Sequence, residues 1–238
     1  MNIAVILAGG SGIRAKTSVP KQFLAVDNVP IIVYTMMNVQ KYADIDQLMV
    51  VIPEGWEAFV RAYALEYGIT KLRHVIIGGK SRHESISRAV DCLAKEAEND
   101  GLVILIDANR PLIPHKVIAD AIEKATTADI VVAAEPCYDS MYVSLDGEKI
   151  VEHADRNILF KGQMPEVASL DLLKHVYRQA TEDGVEEPIS ALFLRYGLKV
   201  ACVPGSQLSF KITTSDDIEM FRTIAKVREK NCLNRDNG

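Results

Sequence analysis

Cysteine is scarce and scattered: the chain holds four, Cys92, Cys137, Cys202 and Cys232, and no two stand close enough to form a zinc-binding or redox pair. Reduced, buried thiols are expected. Histidine is as sparse, and His74, His83, His115, His153 and His175 lack ligand spacing, which favours surface or supporting roles over metal binding. Excess positive charge is missing as well. Lys and Arg number 27 against 32 Asp and Glu, a net charge of −5, which argues against nucleic acid as a partner. The opening MNIAVILAGG is interrupted too early by glycine to span a membrane, and it lacks the basic flank and cleavage pattern of an export signal; it reads as the first strand of a cytoplasmic protein. Internal repeats and low-complexity linkers are absent, which leaves one α/β domain over residues 1–238 as the expected organisation.

What is present is alternation. Ile3–Ala8, Leu48–Ile52, His74–Ile77, Val103–Ile106 and Ile130–Ala134 are short β-rich apolar runs, and between them Ile31–Gln40, Trp56–Tyr67, Ser85–Ala97 and Val117–Ala125 carry apolar residues at helical spacing. This order predicts right-handed βαβ units in a doubly wound, mainly parallel sheet, with ligands beyond the carboxyl ends of the strands. The aromatic residues at and after Trp56 fall at helical spacing and are expected to pack rather than to stack on a ligand. Near Cys137 the rhythm changes. Met141–Leu145 and Lys149–Glu152 alternate around Asp146-Gly147 and predict a hairpin with a tight turn, an arm inserted at about 137–160. Helices around Leu170–Ala180 and Ser190–Tyr196, a strand at Lys199–Pro204, and a last helix from Ser215 to about Glu229 should follow. Thr214 and Asp217 offer that helix a capping box, and Asn231–Gly238 reads as a frayed tail.

The first strand runs into Ala8-Gly9-Gly10-Ser11-Gly12-Ile13-Arg14 and then Pro20-Lys21-Gln22-Phe23. Glycines let backbone N–H groups close on phosphate oxygens, and Arg14 and Lys21 add two cations beside that loop, as a triphosphate with developing charge requires. Gly10, Gly12 and Ala15 also fit the dinucleotide fingerprint, so a nicotinamide-linked oxidoreductase is a competing reading. That fingerprint needs an acidic residue about 20 positions on, where this chain has Thr35 and Met36 in a helical segment. A catalytically silent nucleotide-binding protein is a further alternative, disfavoured by the joint presence of Arg14, Lys21, Asp107 and Lys211.

These elements, together with Gly78-Gly79-x-x-Arg82-x-x-Ser85, Asp107-Ala108-x-Arg110-Pro111, Asp139-Ser140, Asp155-Arg156, Gln163-x-Pro165 and Lys211-Ile212-Thr213, resemble the 2-C-methyl-erythritol 4-phosphate and ribitol-5-phosphate cytidylyltransferases over nearly the whole chain. The resemblance implies a CTP-using enzyme with a Rossmann-like sheet, one magnesium ion, and a homodimer whose arm reaches toward the neighbouring subunit. It implies that Ala8, Gly9, Gly10 and Gly12 hold the triphosphate and that Arg14, Lys21 and Lys211 stabilise charge at the reacting phosphates. Gly79, Ser85 and Ala108 then lie at the nucleotide, Asp107 is a magnesium ligand, and Arg110, Ser140 and Arg156 approach the acceptor.

The acceptor half departs from the family pattern. His-Asp-Ala-Ala-Arg-Pro is here Ile106-Asp107-Ala108-Asn109-Arg110-Pro111, Gln-Thr-Pro-Gln is Gln163-Met164-Pro165-Glu166, and Asp-Thr on the arm is Asp139-Ser140. An acidic Thr-Asp-Asp segment is replaced by Glu186-Glu187-Pro188. Ribitol phosphate or a related surface-polysaccharide precursor is therefore the expected acceptor, with methylerythritol phosphate the alternative. The chemistry asks for cations rather than a base. A phosphate monoester, with its second pKa about 6, is already a dianion at neutral pH, and what opposes its attack on a triphosphate is anionic repulsion and charge on the leaving pyrophosphate. Each residue also has an ordinary reading: Asp107 could cap the next helix, Lys211 could be an edge-strand lysine, and Arg156 could be half of an exposed ion pair with Asp155.

Overall fold

The computed structural model describes residues 1–9, 19–95 and 101–235, with side chains to residue 228. Gly10, Gly12 and Arg14 lie outside the described residues, as do the expected helix end at Ala97, the Cys232 side chain and the last three residues of the expected tail.

Among the described residues eleven strands appear in chain order: β1 (Asn2–Leu7), the short pair β2 (Ala25–Val26) and β3 (Val29–Pro30), β4 (Gln47–Ile52), β5 (Leu72–Ile77), β6 (Leu102–Asp107), β7 (Ile130–Pro136), the arm strands β8 (Met141–Val143) and β9 (Glu152–Ala154), β10 (Phe160–Ser169) and β11 (Val200–Pro204). Helices α1 (Ile31–Gln40), α2 (Glu57–Glu66), α3 (Arg82–Leu93), α4 (His115–Lys124), α5 (Leu170–Asp183), α6 (Ile189–Arg195) and α7 (Ser215–Arg235) connect them. Seven strands form one sheet in the order β11-β7-β10-β6-β1-β4-β5. Every neighbouring pair is parallel except those of β10, which runs antiparallel to both β6 and β7.

The expected doubly wound sheet is therefore present, and its strands read as unbroken apolar runs because both faces are covered. On β1, Ala4 and Ile6 pack toward α1, α2 and α4, while Ile3, Val5 and Leu7 pack toward α3, α5 and α6. Asp107, two residues beyond Leu105, faces the α3 and α5 side. Trp56 stacks on Phe23 with ring centroids 3.9 Å apart, the packing role expected of it.

Several expectations need correction. Strand β10 is unexpected, because Gly162 and Pro165 interrupt any alternation over Phe160–Ser169. The chain absorbs Pro165 at a bulge, where the pairing to β7 jumps from Gln163↔Ala133 to Glu166↔Val132, a position that needs no N–H from the proline. The arm hairpin is open rather than tight. Its register is Met141↔Ala154 to Val143↔Glu152, and residues 144–151 bridge the strands. Asp146 Oδ1 accepts the N–H groups of Glu148 and Lys149, at 2.9 and 2.8 Å, so the aspartate caps a wider loop instead of entering a two-residue turn. Helix α3 starts a turn earlier than expected because Ser81 Oγ accepts the Glu84 N–H, at 3.1 Å. Helix α7 runs to Arg235 rather than ending near Glu229. Its expected capping box is intact: Asp217 N–H donates to Thr214 Oγ1 at 3.2 Å, and Thr214 N–H donates to the Asp217 carboxylate at 2.8 Å. Cys137 is buried as expected, whereas Cys202 points outward from the edge strand β11 and is exposed.

Candidate active site

The carboxyl ends of β1 and β6 open onto a cavity of about 330 Å³ lined by Leu7, Ala8, Gly9, Lys21, Gln22, Lys80, Ser81, Arg82, Ser85, Asp107, Ala108, Asn109 and Lys211. Three of these are held by backbone geometry. Ala8 N–H donates to Val51 O at 2.7 Å, and Ala108 N–H to Leu7 O at 3.0 Å. A Cβ on Gly9 would stand 2.9 Å from Ser85 Oγ, so the loop needs glycine there. The Ser85 hydroxyl accepts Gly79 N–H at 3.0 Å and donates to Ser81 O at 2.8 Å, tying the Gly78-Gly79 turn to the start of α3.

Lys21 opens a 3₁₀ turn fixed from both sides: Phe23 is buried against Trp56, and the Gln22 amide donates to Ala8 O. Its ammonium donates to Thr213 O. This brings Lys21 and the Lys211-Ile212-Thr213 segment to the same cavity from opposite ends of the chain. Asn109 belongs to that arrangement. Its side chain donates to Ile212 O at 2.8 Å and its carbonyl accepts Ile212 N–H at 2.9 Å, so this departure from the family pattern fastens the lysine-bearing segment.

Asp107 is the electrostatic centre. Its side chain is 6% exposed and meets three cations: Arg82 Nη1 at 2.7 Å, Arg110 Nε at 3.2 Å and Lys211 Nζ at 3.2 Å. Burial pushes its carboxyl up, but Arg82, Lys211 and Arg110 together outweigh burial and hold it down at about 2. It is a carboxylate at every physiological pH. Among the described residues no group of three or more His, Cys, Asp and Glu is placed to hold a metal. A single ionised aspartate suits magnesium, which uses one or two carboxylates and takes its other ligands from phosphate and water.

A second cavity of about 330 Å³ shares Arg82, Asp107 and Lys211 with the first and extends along β10 past Arg110, Val132, Gly162, Gln163, Met164 and Glu166 to Pro188, Ile189 and Ser190. Arg82 is the residue that sequence reasoning passed over: its guanidinium bonds Asp107 on one arm and Glu166 Oε2, at 3.3 Å, on the other. The only sequence signal was its fixed place in the Gly-Gly-x-x-Arg run. Glu166 is nearly buried, and burial pushes its carboxyl up to about 7, Arg82 opposing the shift and Asp107 adding to it. Of the other departures, Met164 lines this cavity, while Glu187 pairs with Arg195 through Nε at 3.1 Å and stays out of it.

Ser140 and Arg156 are not brought to either cavity. Both are exposed on the arm, and Arg156 Nη1 donates to Tyr138 O at 2.6 Å.

The family model for 2-C-methyl-D-erythritol 4-phosphate cytidylyltransferase matches residues 2–226. The chain belongs to this family. It is 31% identical to the 2-C-methyl-D-erythritol 4-phosphate cytidylyltransferase of Syntrophus aciditrophicus, over 95% of this chain and 97% of that one. It is 32% identical to the ribitol-5-phosphate cytidylyltransferase of Lacticaseibacillus paracasei, over 97% and 99%. The crystal structure of 4-diphosphocytidyl-2C-methyl-D-erythritol synthase from Anaerococcus prevotii shares the fold, with a TM-score of 0.80 at 22% identity, covering 94% of this chain and 96% of that one. The chain is thus a CTP-dependent cytidylyltransferase by family, and among the described residues no helix is long and apolar enough to cross a membrane.

Proposed function

We propose that the chain transfers CMP from CTP to a small phosphorylated alcohol, ribitol phosphate first among them, and releases pyrophosphate. The observation that carries this reading is the shared wall of the two cavities, where Arg82, Asp107 and Lys211 face both. The nucleotide occupies the first cavity, its phosphates along Ala8, Gly9 and the loop of Gly10 and Gly12, its nucleoside beside Gly79, Ser85 and Ala108. The acceptor phosphate enters from the second cavity, near Arg110. One of its oxygens bonds the α-phosphorus as the bond to the pyrophosphate oxygen breaks. No proton has to move, so these residues act by position and charge: Arg14 and Lys21 on the triphosphate, Lys211 and Arg82 between the two anions. Asp107 would hold magnesium, which would supply charge neutralisation on the triphosphate.

Ribitol phosphate is preferred over methylerythritol phosphate because Met164 and Glu166, where the family pattern has threonine and glutamine, both line the acceptor side. With CTP and magnesium, pyrophosphate release is expected to give a higher kcat/KM for ribitol 5-phosphate than for 2-C-methylerythritol 4-phosphate. The reverse order would assign the chain to the alternative substrate.

The arm supports a homodimer. Leu145, Ile150, Val151 and Ile158 are each 58 to 86% exposed, an apolar surface of the kind that marks an interface. A partner's arm would bring Ser140 and Arg156 to the acceptor side that this chain's own arm leaves open. Sedimentation equilibrium is expected to give twice the chain mass, and Ile158→Asp to shift the population toward monomer. A monomeric wild type would rule the arrangement out.

A further inference from the structure

The acceptor-side cavity gathers Arg82, Arg110 and Lys211 around Asp107, and its other carboxylate, Glu166, lies beyond them on Arg82. Glu166 faces Leu105 across the β10–β6 ladder, two residues inward from Asp107, which sets it about 6–7 Å deeper along the sheet on the same face. Its side chain is 11% exposed, and among the described residues it bonds only Arg82. The neighbouring amide is already committed: Gln163 Nε2 donates to Glu135 Oε2 and Ser206 O, both at 3.0 Å, and its Oε1 accepts Ser206 N–H at 2.9 Å. Met164 and Val132 add apolar wall. Glu166 therefore offers the inner end of this cavity a hydrogen-bond acceptor with capacity to spare. Above about pH 7, where this carboxyl is ionised, it is matched by an O–H donor and opposed by any second anion.

We propose that Glu166 determines acceptor specificity, its carboxylate taking a hydrogen bond from a hydroxyl of the acceptor and rejecting acceptors that carry an anionic group at the end remote from the phosphate. This rests on the cytidylyl-transfer reading above. It makes the preferred substrate a phosphorylated polyol with a neutral, hydroxylated end.

The test compares ribitol 5-phosphate with ribonate 5-phosphate, which has the same five carbons but a carboxylate in place of the terminal hydroxymethyl group. At a pH of about 8 to 9, where Glu166 is ionised, wild-type enzyme is expected to favour the alcohol by at least about 100-fold in kcat/KM, and Glu166→Gln to shrink that ratio by at least about tenfold with KM for CTP unchanged. Glu166→Asp keeps the charge and should retain the preference. A purely structural role would weaken both acceptors, and CTP, together and leave the ratio alone. An unchanged ratio in Glu166→Gln, or equal loss of the preference in the Gln and Asp variants, overturns the assignment. Absence of pyrophosphate release by wild type with any phosphorylated polyol would instead defeat the cytidylyl-transfer reading itself.

Discussion

Lys21→Ala is expected to lower turnover by at least about 100-fold while the protein stays folded. The turn that carries Lys21 is held by Phe23 against Trp56 and by Gln22 on Ala8 O, and neither contact uses the ammonium. The variant loses one exposed hydrogen bond, to Thr213 O, a cost to stability of about 1 kcal/mol. At the transition state the loss is larger. A preorganised donor aimed at developing charge contributes about 3–4 kcal/mol, and the side chain points into the cavity assigned to the triphosphate. Initial rates at saturating CTP, beside a circular dichroism melt, measure both quantities. Turnover near that of wild type in a folded variant would remove Lys21 from the mechanism. Arg14→Ala is expected to act on the same step with an effect of the same size.

Asp107→Asn is expected to abolish measurable activity and to destabilise the protein as well. Three cations converge on this carboxylate. Removing one partner of a buried ion pair costs about 3–5 kcal/mol. The cost is reduced here because Arg82 and Lys211, 40 and 45% exposed, can turn toward solvent, whereas Arg110, 11% exposed, cannot. A loss of about 2 kcal/mol after screening is the expected figure, read from urea unfolding. Wild-type activity should likewise vanish in excess chelator and return with magnesium, since the protein supplies a single carboxylate and the metal supplies the remaining neutralisation. Full activity in chelator, or in Asp107→Asn, would show that fixed cations alone suffice.

The parts of this molecule legible in its sequence are those governed by local pattern. Strands β1, β4, β6 and β7 are buried on both faces and so appear as plain apolar runs. The capping box at Thr214 and Asp217 is written within four residues. The parts that escaped depend on partners distant in the chain. Arg82 takes its meaning from carboxylates 25 and 84 positions away. Strand β10 carries buried polar residues, Gln163 and Glu166, whose partners are Glu135, Ser206 and Arg82, so no alternation marks it. Asn109 and Glu187 departed from the family pattern at positions that look equivalent in one dimension. In three, one ties down the Lys211 segment and the other pairs with Arg195.

The antiparallel strand also orders events in time. When β7 leaves the ribosome, neither of its sheet neighbours exists: β10 begins at Phe160 and β11 at Val200, and β6, already made, ends up separated from β7 by β10. A nascent chain therefore carries Ile130–Pro136 with both hydrogen-bonding edges open until the arm has been synthesised and the polypeptide has turned back into the gap. The arm, from Met141 in β8 to Ala154 in β9, is made before β10, and β7 waits, unpaired on both sides, for the residues that will close over it.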